Sequence, residues 1–151
     1  MLITYLFAPI FGYLLAGGIK FALNTLVAGK LAFSNIGLGG MPSTHNAITS
    51  STFFAIGFGE GFNASATAVA LMVCLVVGID SLDLRRKIEQ HAILICKELG
   101  KINGSAARIR TKLGHSPLEV AAGWLLGAFI GYFLVFIMDM AQLTTASIQL
   151  F

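Results

Sequence analysis

Four uncharged or nearly uncharged runs limit what this chain can fold into. Leu2 to Gly18 carries no charged residue. A second run starts after Pro42 and passes through Ala47, Phe53, Phe54 and Ile56 to about Phe58. A third extends from Ala64 to Ile79, and a fourth, Leu118 to Met138, holds only Glu119 near its start. A helix needs roughly 20 apolar residues, and about 17 at the least, to cross a hydrocarbon core of about 30 Å. The predicted fold is therefore an all-α integral membrane protein with about four transmembrane helices in a bundle, plus short interfacial or amphipathic helices. A single membrane-embedded domain is expected over residues 1–151, with spans at about 2–18, 43–59, 64–80 and 117–138 and with 19–42 and 81–116 between them. The start lacks a basic region and a small-residue cleavage site, so the first run reads as a span and not as a removable signal peptide.

Composition agrees. Only 11% of the residues are charged and 56% are hydrophobic, whereas a soluble domain carries about 25% charged residues. A soluble monomer, a disordered chain, a coiled coil and a nucleic-acid module are excluded, despite the net charge of +3. Cys74 and Cys96 have no metal-ligand spacing and do not fix a redox compartment.

Two less regular pieces separate the spans. Ile19 to Gly40 begins with Lys20, carries scattered apolar residues and ends in Gly37-Leu-Gly-Gly40. It reads as a short amphipathic or re-entrant segment. Asp83 to Gly114 has helical spacing at Ile88, Ala92, Ile95 and Leu99, opposite Lys87, Gln90, Lys97 and Lys101. This predicts a surface helix followed by a basic loop around Asn103-Gly104-Ser105. All ten Lys and Arg residues fall in these two pieces, Lys20 and Lys30 in the first and the rest in the second. With four spans the two pieces share a side, and the positive-inside rule assigns it to the cytoplasm.

Ionisable groups near a bilayer are costly and usually functional. They collect at Lys20, at Gly39-Gly-Met-Pro-Ser-Thr-His-Asn46, from Asp80 to Lys87, and at Gly114-His-Ser-Pro-Leu-Glu119. Pro42-Ser43-Thr44-His45 is a helix-start signal; it reads either as a capped helix with an interfacial His45 or as an anion cradle at a helix N-terminus. His115 and Glu119, four residues apart, can form a dyad in which the carboxylate orients the imidazole. The same residues belong to a capping box, with Ser116 at N-cap, Pro117 at N1 and Glu119 at N3. Arg85, Arg86 and Lys87 read as a stop-transfer cluster or, with Asp80 and Asp83 orienting one arginine, as a fork for phosphate. Lys20 is either a phosphate ligand or an interfacial anchor; Lys30 reads as an anchor and His91 as a surface residue. No metal-ligand pattern is present.

Taken in order, these motifs resemble the divergent branch of the phosphatidic acid phosphatase type 2 and vanadium haloperoxidase superfamily, from about Lys20 to Gly127. The resemblance implies that His115 is the nucleophile, forming a phosphohistidine, with Glu119 in place of the orienting aspartate. His45 would be the general acid, and Lys20, Ser43 and the backbone around Thr44 would hold the phosphate oxygens. Three departures stand out. Thr44 replaces the glycine of P-S-G-H, Glu119 replaces aspartate, and Ile109 occupies the position of the third-motif arginine. Arg86 or Arg85, supported by Asp80, is expected to replace that arginine.

The expected activity is hydrolysis of a lipid phosphomonoester at the cytoplasmic face, without metal or other cofactor. The substrate would be polyprenyl-linked, for example a polyprenyl-phospho-sugar phosphate, or a phospholipid such as phosphatidylglycerophosphate. The alternatives are a non-enzymatic anionic-lipid-binding or transport protein and an inactive subunit of a membrane complex. Two histidines with an orienting Glu favour the enzyme; the missing arginine favours the others. The expected location is a bacterial inner membrane, with lipids as partners, no nucleic acid, and a homodimer suggested by small residues such as Gly57, Gly59, Gly123, Gly127 and Gly131.

Overall fold

The first apolar run does not stop at Gly18. In the computed structural model, which describes residues 2–29, 40–103 and 113–148, helix α1 is continuous over Leu2–Ala28. This corrects the expected short amphipathic or re-entrant segment after residue 18. Lys20 does not end the helix because its side chain turns into the bundle, where it is 8% exposed and donates from Nζ to Thr44 Oγ1 at 3.2 Å. The helix ends at Gly29, whose φ of +63° suits a residue without Cβ. The rest of that segment, including Lys30 and Gly37 to Gly39, lies outside the described residues.

Four more helices follow: α2 (Thr44–Glu60), α3 (Ser65–Leu82), α4 (Leu84–Asn103) and α5 (Pro117–Ile148). Among the described residues there are no strands. Asp80 lies inside the last turn of α3, and α5 continues past the expected end at Met138. The predicted surface helix is α4, with Ile88, Ile95 and Leu99 exposed along it. The basic loop after Asn103, with Arg108, Arg110 and Lys112, lies outside the described residues.

Three helical runs are long and apolar enough to cross a membrane: Ile3–Ala28, Ser65–Leu99, which begins with α3, and Pro117–Leu143. The expected fourth, α2, does not qualify. It has 17 residues and carries Thr44, His45, Asn46, Thr49, Ser50, Ser51 and Thr52. Its surroundings explain this polarity: α2 packs against α1, α3 and α5, so its side chains meet protein where a lipid-facing helix would meet hydrocarbon.

Burial is inverted relative to a water-soluble bundle. The largest fully buried side chains include Asn46, Thr67, Ser43, Ser50, Ser51 and Ser81, while Leu6, Phe7, Leu14, Val76, Ile79, Leu125 and Phe129 are exposed. Apolar side chains outward and small polar ones inward suit a hydrocarbon solvent, in which helices associate by close packing and interhelical hydrogen bonds. Gly123, Gly127 and Gly131 form a stripe along α5. A Cβ at Gly123 would come within 2.6 Å of Ser43 O, and one at Gly131 within 2.6 Å of Ala55 N. The stripe seats α5 on the backbone of α2, inside one chain. Ser50 Oγ donates to Asn46 O at 2.6 Å and lies 3.2 Å from Gly123 O, while Ser51 Oγ reaches Ala8 O at 2.9 Å, an interhelical bond contributing about 0.6 kcal/mol in such a setting.

Candidate active site

Two helix starts lie side by side at one end of the bundle, those of the parallel helices α2 and α5. The first belongs to α5. Glu119 Oε2 accepts from the backbone N–H of Ser116 at 2.9 Å, and Ser116 Oγ accepts from the Glu119 N–H at 3.3 Å, which completes a capping box. The same Oε2 lies 3.0 Å from His115 Nδ1. The two readings of this motif are therefore one structure, because a single carboxylate oxygen caps the helix and orients the imidazole. A carboxylate only accepts, so Nδ1 carries the proton and Nε2 keeps its lone pair. His115 is 7% exposed. Burial, aided by the charges of Lys20 and Arg85, pushes its pKa below the usual histidine value, against the upward pull of the Glu119 hydrogen bond and charge. The lowered pKa favours the neutral imidazole.

The backbone before this dyad is also held. The N–H groups of Leu113 and Gly114 donate to Glu89 Oε2 of α4 at 3.2 and 2.9 Å, and that of His115 to Ser81 O of α3 at 3.2 Å.

The second start belongs to α2. Ser43 is the N-cap, but its side chain makes no capping bond. The first-turn N–H groups of Thr44, His45 and Asn46 therefore point out of the helix without an intrahelical acceptor. Ser43 itself is fully buried; its N–H donates to Glu119 O at 2.9 Å and its Oγ accepts from Asn46 Nδ2 at 2.9 Å. Asn46 Nδ2 also donates to Ser81 Oγ at 3.1 Å, and Asn46 Oδ1 accepts from Trp124 Nε1 at 3.2 Å. This buried amide ties the start of α2 to α3 and α5. His45, one residue before Asn46, is exposed.

Charge gathers between the two starts. Arg85 Nε pairs with Asp80 Oδ2, which pins the guanidinium. Arg85, His115, Lys20 and Asp80 all lie within electrostatic reach of His45. Arg86 lines a cavity of about 340 Å³ together with Glu89, Gln90, Ile93, His115 and Glu119. Lys87 forms an exposed pair with Asp83 at 2.9 Å, and exposed pairs contribute little. Among the described residues, no three His, Cys, Asp or Glu side chains gather closely enough to hold a metal ion.

This pattern of two histidine-bearing helix starts lies within the residues 3–130 matched by the sequence profile of the divergent PAP2 family. The chain belongs to that family. The family's match spans the residues of this site, from Lys20 to Trp124. A relative, the uncharacterized membrane protein YuiD of Bacillus subtilis (strain 168), is 26% identical over 128 residues, covering 74% of this chain and 81% of the relative. No solved structure matches.

For this member of the divergent PAP2 family, His115, Glu119, His45, Lys20, Thr44, Arg85 and Asp80 come to one end of the bundle. Ser43 is buried with both its N–H and its Oγ engaged, and Arg86 lines the cavity that His115 and Glu119 also line. Motif reading missed Asn46, Ser81, Trp124 and Glu89. Asn46 lay inside a segment noted for its polarity, but among the many polar residues of α2 its type alone did not set it apart. Glu89 carried none, because it looks like any charge on the polar side of an amphipathic helix.

Proposed function

We propose that this protein is a membrane-embedded lipid phosphate phosphatase that works through a phosphohistidine on His115. The observation that carries the reading is the His115–Glu119 pair, with Nδ1 held by a carboxylate, beside the pinned Arg85, the inward-turned Lys20 and the open start of α2. His115 Nε2 attacks phosphorus; the P–O bond to the lipid alcohol breaks, and His45 in its protonated form gives its proton to the departing oxygen. Neutral His45 then takes a proton from water as that water attacks phosphorus. The P–N bond breaks, releasing inorganic phosphate and restoring both histidines. Lys20, Arg85 and the N–H groups of the first turn of α2 would stabilise the equatorial oxygens. Arg85 suits this role better than Arg86, since its charge acts on both histidines. Ser43 would act by shaping the turn.

In this reading, residues 1–151 form one membrane-embedded domain in which α1, α2, α3 and α5 cross the bilayer, α2 being shielded by the other three. The site opens at the cytoplasmic face beside α4, whose Arg85, Arg86, Lys87 and Lys97 follow the positive-inside rule. A lipid tail can then stay in the bilayer while its phosphate reaches the site. Polyprenyl-linked phosphates and phosphatidylglycerophosphate are the substrate classes that fit.

The test is phosphate release by purified protein in detergent, without added metal, from polyprenyl phosphates and pyrophosphates, a polyprenyl-phospho-sugar phosphate, phosphatidylglycerophosphate and phosphatidic acid. Hydrolysis of at least one, inhibition by vanadate, and an acid-labile phosphoenzyme absent from a folded His115→Ala variant are expected. Lipid binding without hydrolysis of any substrate would favour an anionic-lipid binding protein. Activity lost in chelator and restored by magnesium would overturn the metal-free mechanism.

A further inference from the structure

The dyad explains how the His115 ring is oriented, and leaves open what holds the backbone that carries it. Four successive N–H groups, of Leu113, Gly114, His115 and Ser116, each have an acceptor. The last two are met by Ser81 O and Glu119 Oε2. The first two are met by a single oxygen, Glu89 Oε2, at 3.2 and 2.9 Å. Glu89 sits on α4, outside the group of helices that packs around α2. Its reach across to this turn joins the surface helix to the proposed nucleophile. A second contact acts at the same place: a Cβ on Gly114 would come within 2.5 Å of Arg86 Cγ and 3.1 Å of Arg86 Cα. The turn therefore lies directly against the first turns of α4, and only glycine permits that distance.

We propose that Glu89 is a positioning residue for His115, holding the Leu113–Gly114 backbone so that Nε2 faces the substrate phosphate. This rests on the phosphatase reading for its catalytic consequence and on geometry alone for its effect on the imidazole. Glu89 Oε2 meets the backbone N–H groups of Leu113 and Gly114, so the role needs only an acceptor oxygen. That separates it from Glu119, whose charge acts on the ring. Displacement of a reacting group by about 1 Å costs on the order of 100-fold in rate, and a turn released from α4 is free to move that far.

Glu89→Ala, Glu89→Gln and Gly114→Ala are compared with wild type in detergent. Glu89→Ala should lower kcat by roughly 10- to 100-fold with little change in KM. Glu89→Gln, whose amide oxygen still accepts from both N–H groups, should retain most of kcat. Gly114→Ala keeps Glu89 but pushes the turn off α4, and should repeat the loss. Imidazole nitrogen NMR of histidine-labelled protein, assigned with His45 and His91 variants, reads the same geometry without turnover. The Nδ1–H signal of the His115–Glu119 hydrogen bond should be lost or broadened in Glu89→Ala and Gly114→Ala and kept in Glu89→Gln. If wild type hydrolyses none of the lipids but the NMR pattern holds, the phosphatase reading fails and the positioning role stands. Folded Glu89→Ala and Gly114→Ala variants with a wild-type His115 signal would overturn the proposal, as would equal damage from Glu89→Gln and Glu89→Ala. Should Glu89→Ala not fold, Gly114→Ala against Glu89→Gln decides by the same signals.

Discussion

The two helix starts that meet at the site each carry a histidine and are built in opposite ways. At α5 every backbone donor from Leu113 to Ser116 has an acceptor, the cap is complete, and His115 is buried. At α2 the N-cap side chain is turned away to Asn46, the first-turn N–H groups are uncapped, and His45 is exposed. A closed start holds a group in one geometry; an open start offers donors to an anion and lets a side chain move. The contrast suits a fixed nucleophile opposite a proton donor, since attack depends on alignment more strongly than proton transfer does.

The largest effect that tests this contrast should come from the open side. His45→Ala should slow turnover of a lipid phosphate with a poor leaving group by roughly 100- to 10,000-fold, and scarcely affect an activated aryl phosphate that leaves without a proton. Steady-state kinetics on the two substrates measure it; equal losses on both would remove the acid role. On the closed side, Glu119→Gln keeps the capping box but replaces a charged acceptor with a neutral one. The difference between charged and neutral hydrogen bonds is about 1 to 1.5 kcal/mol, or about tenfold in rate.

The same variant has a signature in pH. In the proposed mechanism turnover needs neutral His115, so wild-type kcat should fall as pH drops through a pKa below the usual histidine value. Glu119 raises that pKa by hydrogen bond and charge against burial; with glutamine there, the acid limb of the kcat profile should move lower still. A limb that stays in place would separate it from His115. The smallest effect belongs to Ser116→Ala, which removes the cap hydroxyl and leaves the dyad. It should cost about 1 kcal/mol of stability, read from unfolding in detergent, with nearly unchanged kcat. A large loss of kcat would mean that cap and dyad cannot be separated.

Much of this site was legible in the linear pattern, for a local reason. His115, Ser116 and Glu119 are within one helical turn, so their spacing states what they can touch. The competition between dyad and cap could not be resolved there, because it concerns how many donors one oxygen accepts. The choice between Arg85 and Arg86 was equally closed to reading. Neighbours in sequence point to different sides of a helix: Arg85 pairs with Asp80 of α3, whereas Arg86 lines the cavity beside His115 and Glu119. The fourth run differs from the other three. Length and apolarity identify helices that face lipid, and α2 packs against other helices instead.

By itself, then, the sequence determined that the chain lives in a membrane, that it is helical, and that two histidine motifs open two of its helices. Each follows from composition, or from periodicity and capping over a few residues. Only the tertiary structure decided that Lys20 lies within a continuous α1 and turns to Thr44, that Asn46 joins α2 to α3 and α5, and that Glu89 reaches the turn before His115. These depend on contacts between residues 24, 35, 78 and 25 positions apart, and no local preference of the backbone encodes a distance of that kind.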